Sequence, residues 1–142
     1  MFVFDSDHLS LLQRETSPEF ENIARRCTSR LASEFFVTIV SFHEQINGST
    51  KYVAKSKNSG SLVHGYSKLE GILDDFSRAQ VLTFSPAAAD IYDELRKHRI
   101  AVGAMDLRIA SIAIANQMTL LTRNTVDFER IPDLTIEDWT TS

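Results

Sequence analysis

Acidic and amide side chains occur in four separate places along this sequence, each just after an apolar segment or at the start of a helical one. They are Asp5, Glu44, Asp106 and the pair Asn124 and Asp127. Carboxylates held close together repel one another and stay ionised together only when a cation lies between them. Oxygen ligands without histidine or cysteine suit Mg²⁺ or Mn²⁺, and such an ion can activate water and stabilise charge on a phosphoryl group. The pattern therefore predicts a divalent-metal site, provided that the fold gathers the four places.

Helix capping is the alternative explanation for most of these side chains. Asp7 fits a helix cap better than a metal ligand. Ser41 and Glu44 have the spacing of a capping box, so capping alone can account for Glu44. Asp106 lies at the start of the buried face of its helix, which favours a ligand, but a plain N-cap would also explain it. Asn124 and Asp127 have capping spacing as well. Asp5 alone has no local partner in the sequence, and its place after a buried strand favours a ligand.

The elements that must position these residues alternate between strands and helices. Apolar, β-branched and aromatic runs predict strands at residues 2–4, 34–40, 81–84 and 119–122, with a possible edge strand at 134–136. Cap residues and 3.6-residue periodicity predict the helices between them. This order predicts an α/β fold in three layers, with a mostly parallel central sheet of four to five strands flanked by helices. Because the carboxyl ends of parallel strands share one edge, the four places can converge there.

One predicted helix follows the break at residues 58–61 and carries a long apolar series. We expect these apolar residues to point inward, towards the core: Leu62, Tyr66, Leu69, Leu73 and Phe76.

Length and composition limit the class of protein. The 142 residues predict one domain, 1–142, with an ordinary 43% hydrophobic and 24% charged content. No apolar run is long enough to span a membrane, and the single cysteine, Cys27, cannot form an internal disulfide, which favours the cytoplasm. The net charge of −4 argues against nonspecific nucleic-acid binding by bulk charge but allows a local basic rim. The histidines lack the short spacing of a zinc site.

Four motifs together resemble the PIN-domain ribonucleases, in particular the VapC-type toxins of prokaryotic toxin–antitoxin pairs. The motifs lie at residues 4–9, 38–44, 106–110 and 121–128. The resemblance implies an endoribonuclease that uses Mg²⁺ or Mn²⁺. It places Asp5, Glu44 and Asp106 at the three core acidic positions, with either Asn124 or Asp127 at the fourth.

The same resemblance implies further roles. The metal would be held by Asp5, Asp106 and the residue at the fourth position, Asn124 or Asp127. Glu44 would hold metal or orient the attacking water. Side chains that could position water or phosphate by hydrogen bonds are Ser6, Thr122 and Asn124. Basic side chains that could contact phosphate, or could simply be solvated, are Arg14, Lys51, Lys55 and Arg123. A VapB-type antitoxin is expected to cover the acidic pocket and to contact the helix pair between residues 42 and 76, and a homodimer is expected from the family.

Two other functions fit part of the sequence. Residues 3–7 also fit the opening of the haloacid-dehalogenase-like phosphatases, in which Asp5 would be the nucleophile, but that function leaves Glu44 and Asp106 without a role. A PIN-like module that binds RNA or protein without catalysis is the second alternative. The complete set of three core acidic positions argues against that loss of activity.

Overall fold

A computed structural model of the chain describes residues 1–141, so Ser142 of the predicted domain lies outside the described range. The β-strands, β1 to β5 in chain order, are Phe2–Phe4, Phe35–Thr38, Val81–Leu82, Thr119–Leu121 and Ile136–Glu137. The α-helices, α1 to α7, are Ser6–Arg14, Pro18–Thr28, Ile39–Lys55, Ser59–Ser77, Pro86–Lys97, Ala104–Ala115 and Thr125–Phe128. None of the helices within residues 1–141 combines the length and apolarity needed to cross a membrane.

The strands form one sheet in the order β3-β2-β1-β4-β5, and every neighbouring pair is parallel. This confirms the predicted parallel sheet, with the edge strand as its fifth member. The chain builds β2 and β3 on one side of β1 and then β4 and β5 on the other. The strand order therefore reverses at β1, and in open α/β sheets such a switch point leaves a crevice at the carboxyl ends of the central strands. Asp5 directly follows β1 at this crevice.

The sheet is covered on both faces, which explains why its strands are apolar throughout. Val3 and Leu120 point to one face, where they pack against the small apolar residues of α6. Phe2, Phe4 and Leu121 point to the other face, where they join Trp139 in a cluster with residues of α1 and α2. The small side chains of α6 allow close approach to the sheet, and this fixes the start of α6 beside the crevice.

The predicted second strand is too long at its carboxyl end. It ends at Thr38, and the β-branched residues Ile39 and Val40 already belong to α3. The Thr38 hydroxyl accepts a hydrogen bond from the backbone N–H of Ser41 at 3.1 Å, so Thr38 caps the helix. This cap, together with the buried position of Val40, outweighs the β-propensity of the two residues.

The prediction that the apolar residues of α4 point towards the core is largely wrong. Phe76 is buried, but Tyr66 is 53% exposed and Leu73 is 65% exposed. The reason is that α4 packs chiefly against α3, in a helix pair joined at residues 56–58, and so lacks a second layer on its outer side. An apolar surface is left uncovered on α4.

Candidate metal centre

Asp5 is buried at the switch point, where it also serves as the N-cap of α1. One carboxylate oxygen accepts the Ser6 backbone N–H at 2.8 Å, and the other accepts the Thr122 hydroxyl at 2.8 Å. Only 5% of the residue is exposed. Burial, together with the charges of Asp7 and Asp106, raises the pKa of Asp5 to about 7, although the hydrogen bonds from Thr122 and Ser6 act in the opposite direction. Asp5 therefore has the local partner that the sequence did not reveal, as well as charged neighbours from distant segments.

Asp7 does not cap a helix, so the predicted role is wrong. The cap position belongs to Asp5, and Asp7 lies inside the first turn of α1. Its carboxylate receives hydrogen bonds from His8 Nδ1 at 3.0 Å and from the backbone N–H of Arg123 at 3.0 Å. Burial acts to raise the pKa of Asp7, but these hydrogen bonds outweigh it and hold the pKa below its ordinary value. Asp7 thus fixes α1 to the segment after β4 and adds a negative charge beside Asp5.

Glu44 is held towards the crevice by a hydroxyl from α1. Ser6 Oγ donates to Glu44 Oε1 at 3.0 Å and also lies 3.1 Å from Ser41 Oγ. Because the cap of α3 is Thr38, the capping-box explanation for Ser41 and Glu44 is wrong. Ser41 is instead a fully buried hydroxyl that supports Ser6, a role for which the sequence carried no distinct signal.

Asp106 lies in the first turn of α6, and its cap position is Gly103, so the plain N-cap explanation is also wrong. Burial raises the pKa of Asp106, and the charges of Glu44, Asp127 and Asp7 raise it further, in that order. The carboxylates of α1, α3 and α7 are therefore close enough for their charges to act on Asp106.

The two candidates for the fourth position, Asn124 and Asp127, contact each other. Asn124 Nδ2 donates to Asp127 Oδ2 at 3.0 Å, and the Asn124 backbone N–H donates to the Thr122 hydroxyl at 3.0 Å. Asn124 occupies the cap position of α7, but its side chain makes no capping hydrogen bond. The amide therefore orients Asp127, while Asp127 carries the charge that acts on Asp106.

The chemistry of this donor set fits a hard divalent cation. The set consists of carboxylate and amide oxygens, and the pKa values of Asp5 and Asp106 are raised first by burial and then by the charges of neighbouring carboxylates, both of which a cation would offset. Within residues 1–141, however, no three histidine, cysteine, aspartate or glutamate side chains are arranged as a group that could hold an ion. The candidate side chains therefore lie beside the crevice without closing around one point.

The basic side chains predicted to contact phosphate do not lie together at the crevice. Arg14 lies about 13 Å along α1 from Asp5, and Lys51 and Lys55 lie about 10 and 16 Å along α3 from Glu44, by the helical rise. Arg14 lines a groove of about 730 Å³ between α1, α3 and α4. Arg123 is next to Thr122, and the contact it makes with Asp7 uses its backbone N–H.

Comparison with known proteins adds to this geometry. The PIN domain family model matches residues 3–134. Ribonuclease VapC2 of Rickettsia felis is 40% identical over 91 residues, which are 61% of this chain and 63% of that protein, so the match spans less than two thirds of the relative. The tRNA(fMet)-specific endonuclease VapC of Salmonella typhimurium is 33% identical over 111 residues, 75% of this chain and 76% of that protein.

A solved structure extends the likeness to nearly the full length. The crystal structure of VapBC2 from Rickettsia felis, bound to a DNA fragment from their promoter, contains a chain that superposes with a TM-score of 0.71 at 28% identity. The match covers 97% of this chain and 98% of that one.

Proposed function

This chain belongs to the PIN-domain family, and on that premise we propose that it is a divalent-metal-dependent endoribonuclease of the VapC type, with residues 1–142 as one catalytic domain. One observation carries the proposal. Asp5, Glu44 and Asp106 come from separate elements beside the switch point of the sheet, and burial together with neighbouring carboxylate charges raises the pKa values of Asp5 and Asp106. Burying and crowding acidic groups in this way is unfavourable unless a cation uses them.

Four side chains of this set are the proposed metal ligands. Asp5, Asp106, Glu44 and Asn124 would hold Mg²⁺ or Mn²⁺, with Asp127 as the charged partner of Asn124. When bound, the ion neutralises charge on the scissile phosphate and makes water a better nucleophile.

The chain's own residues orient the reacting groups. The Ser6 hydroxyl holds Glu44 towards the crevice, so that the free carboxylate oxygen can orient the attacking water. The Thr122 hydroxyl fixes Asp5, and Asn124 fixes Asp127. Preorganised groups of this kind need no rearrangement when charge develops on the phosphate oxygens.

The experiment uses purified protein free of any partner, incubated with structured RNA in Mg²⁺ or Mn²⁺. Cleavage is expected, and EDTA, Asp5→Ala and Asp106→Ala should each abolish it. Asp93→Ala, an exposed carboxylate on α5, is the matched control and should cleave as the wild type does. Undiminished cleavage by the Asp5 and Asp106 variants would show that the activity belongs to a contaminant or to another site.

We propose that a VapB-type antitoxin restrains this activity in the cytoplasm and contacts the helix pair between residues 42 and 76. The uncovered apolar side chains of α4 support this surface, with Val63 67%, Tyr66 53% and Leu73 65% exposed. The groove beside Arg14 lies between the same helix pair and α1. A homodimer is part of the proposal. Co-expression with the product of a neighbouring small gene tests the partner, and a complex that survives Tyr66→Glu combined with Leu73→Glu would contradict the surface.

The two alternatives fare differently. The family match gives the phosphatase function no support, and the shared neighbourhood of Glu44 and Asp106 is unexplained by it. The non-catalytic module remains as the outcome in which the purified protein fails to cleave any RNA with either metal.

A further inference from the structure

A second polar cavity opens beside the start of α6, on the α5 side. It has a volume of about 340 Å³ and is lined by side chains from the end of α5, from the connection to α6 and from the first turns of α6. Two arginines face it, Arg96 from α5 and Arg108 from α6. No carboxylate lines the cavity, so the two arginines give it a positive charge.

A tyrosine ring holds both arginines. The guanidinium carbons of Arg96 and Arg108 each lie 5.6 Å from the centre of the Tyr92 ring. Tyr92 is itself held by an edge-to-face contact with Phe84, with ring centres 6.0 Å apart. Among the described residues neither arginine forms a salt bridge. Arg108 also donates a weak hydrogen bond from Nη1 to Met105 Sδ at 3.4 Å, a contact that does not neutralise its charge. The two positive charges are therefore positioned by cation–π contacts with the ring and are available to bind an anion.

The cavity lies next to the carboxylates but faces away from them. Asp106 and Arg108 are two residues apart, so they project about 200° apart around the first turns of α6. Asp106 faces Glu44 and Asp127, whereas Arg108 faces Tyr92. The α6 cap, Gly103, supplies no side-chain hydrogen bond, so the backbone N–H groups of the first turn add positive potential near Ala104 in the cavity wall.

We propose that this cavity, bounded by Arg96, Tyr92 and Arg108, binds the phosphate backbone of the RNA substrate beside the cleavage site. The inference rests on the proposed ribonuclease function. A crevice built from carboxylates repels RNA, so the substrate needs positive charge close to the scissile bond, and guanidinium groups bind phosphate oxygens in a bidentate manner. A strand that crosses the start of α6 would meet the carboxylates on one side of the helix and the arginines on the other.

The test measures the cleavage of a fluorescein-labelled hairpin RNA in Mn²⁺ at several salt concentrations. In the Arg96→Gln, Arg108→Gln double variant we expect KM to rise about tenfold with kcat within a factor of two. The dependence of log(kcat/KM) on log salt should become shallower by roughly 1.5, as expected for two lost phosphate contacts. The matched control changes Arg26 and Arg30 to Gln. These arginines also stack on aromatic rings, but beside Phe2 and Trp139 on the other face of the sheet.

The outcomes separate this inference from the proposed function. If the wild type cleaves RNA and the two double variants behave alike, the cavity proposal is wrong while the ribonuclease function stands. A loss of kcat at unchanged KM, or a loss of antitoxin binding with RNA cleavage intact, also overturns the proposal. If the wild type cleaves no RNA, both fail. Replacing Arg96 and Arg108 by Lys restores the salt dependence if charge is the basis of binding, and equal melting temperatures exclude a folding defect.

Discussion

The Thr122 hydroxyl donates a hydrogen bond to Asp5 Oδ2 at 2.8 Å, although the two residues are 117 positions apart in the sequence. The bond joins the residues that directly follow β1 and β4, the two central strands that flank the switch point. The same hydroxyl accepts the backbone N–H of Asn124 at 3.0 Å. One threonine therefore links Asp5 to the segment that carries the two candidates for the fourth position, so the geometry of the site depends on the pairing of the two strands.

Replacing Asp5 with Asn should stabilise the metal-free protein at alkaline pH. Because the pKa of Asp5 in the folded protein, about 7, lies above its ordinary value of 3.8, the folded state binds the proton more tightly than the unfolded state. Stability therefore falls as the pH rises through this window, and the full penalty is present above it. In EDTA we expect Asp5→Asn to raise the free energy of unfolding by roughly 4 kcal/mol at pH 8 and by less than about 1 kcal/mol at pH 4.

Urea unfolding at both pH values measures this effect, with Asp93→Asn as the exposed control. A variant that is less stable than the wild type at pH 8 would show that the hydrogen bonds to Asp5 outweigh the burial of its charge.

Removing the Ser6 hydroxyl should impair catalysis without unfolding the protein. Ser6→Ala leaves Glu44 without its donor, so the carboxylate loses its fixed orientation. Hydrogen bonds to charged groups contribute about 1.5–3 kcal/mol, which predicts a loss in kcat of at least tenfold with little change in KM. Ser10→Ala, one turn further along α1, is the matched control and should retain activity. Equal kcat values for the two variants would remove Ser6 from the site.

His8 should contribute strongly to the stability of the folded protein. It is fully buried, and its Nε2 accepts the Trp139 backbone N–H at 3.1 Å, which leaves Nδ1 as the donor to Asp7 at 3.0 Å. His8→Ala leaves a buried N–H unpaired and opens a cavity, so we expect a loss of about 3 kcal/mol in the free energy of unfolding. Chemical denaturation measures it, and His43→Ala, exposed on α3, is the control. A loss no larger than that of the control would be inconsistent with this role.

Cys27 should react slowly with alkylating reagents. Burial raises its pKa to about 11, against a smaller opposing effect of the Arg30 charge. Only the thiolate reacts, so at pH 8 modification by iodoacetamide should be roughly a hundredfold slower than that of free cysteine and should speed up as the pH rises. Unfolding in urea should restore the ordinary rate. Rapid modification of the folded protein at pH 8 would contradict the raised pKa of this half-buried thiol.

The sequence predicted the parallel sheet because its strands are apolar, β-branched and separated by well-capped helices. It also predicted which acidic residues lie at this edge, since each follows a strand or begins a helix there, and their role in binding a metal stays a prediction. It misassigned the local roles of Asp7 and Ser41, because a cap and a buried hydrogen-bonding group have the same residue types and spacing. Only the start of α3 at Ile39, set by the Thr38 hydroxyl, separates the two explanations for Glu44.

The sequence could not predict the exposed face of α4 or the two arginines on Tyr92, for a different reason. An apolar stripe does not reveal whether a second layer covers it, as Leu73 shows. Arg96 and Arg108 belong to different helices, and nothing in their spacing indicates that one ring holds both.

The most direct test of the central claim is a measurement of Mn²⁺ binding to the purified protein by electron paramagnetic resonance, without RNA. We predict that the wild type binds Mn²⁺, that Asp106→Asn weakens binding at least tenfold, and that Asp93→Asn binds as the wild type does. Indistinguishable binding by the wild type and Asp106→Asn, or no binding by any of the three proteins, would contradict a metal centre formed by these carboxylates.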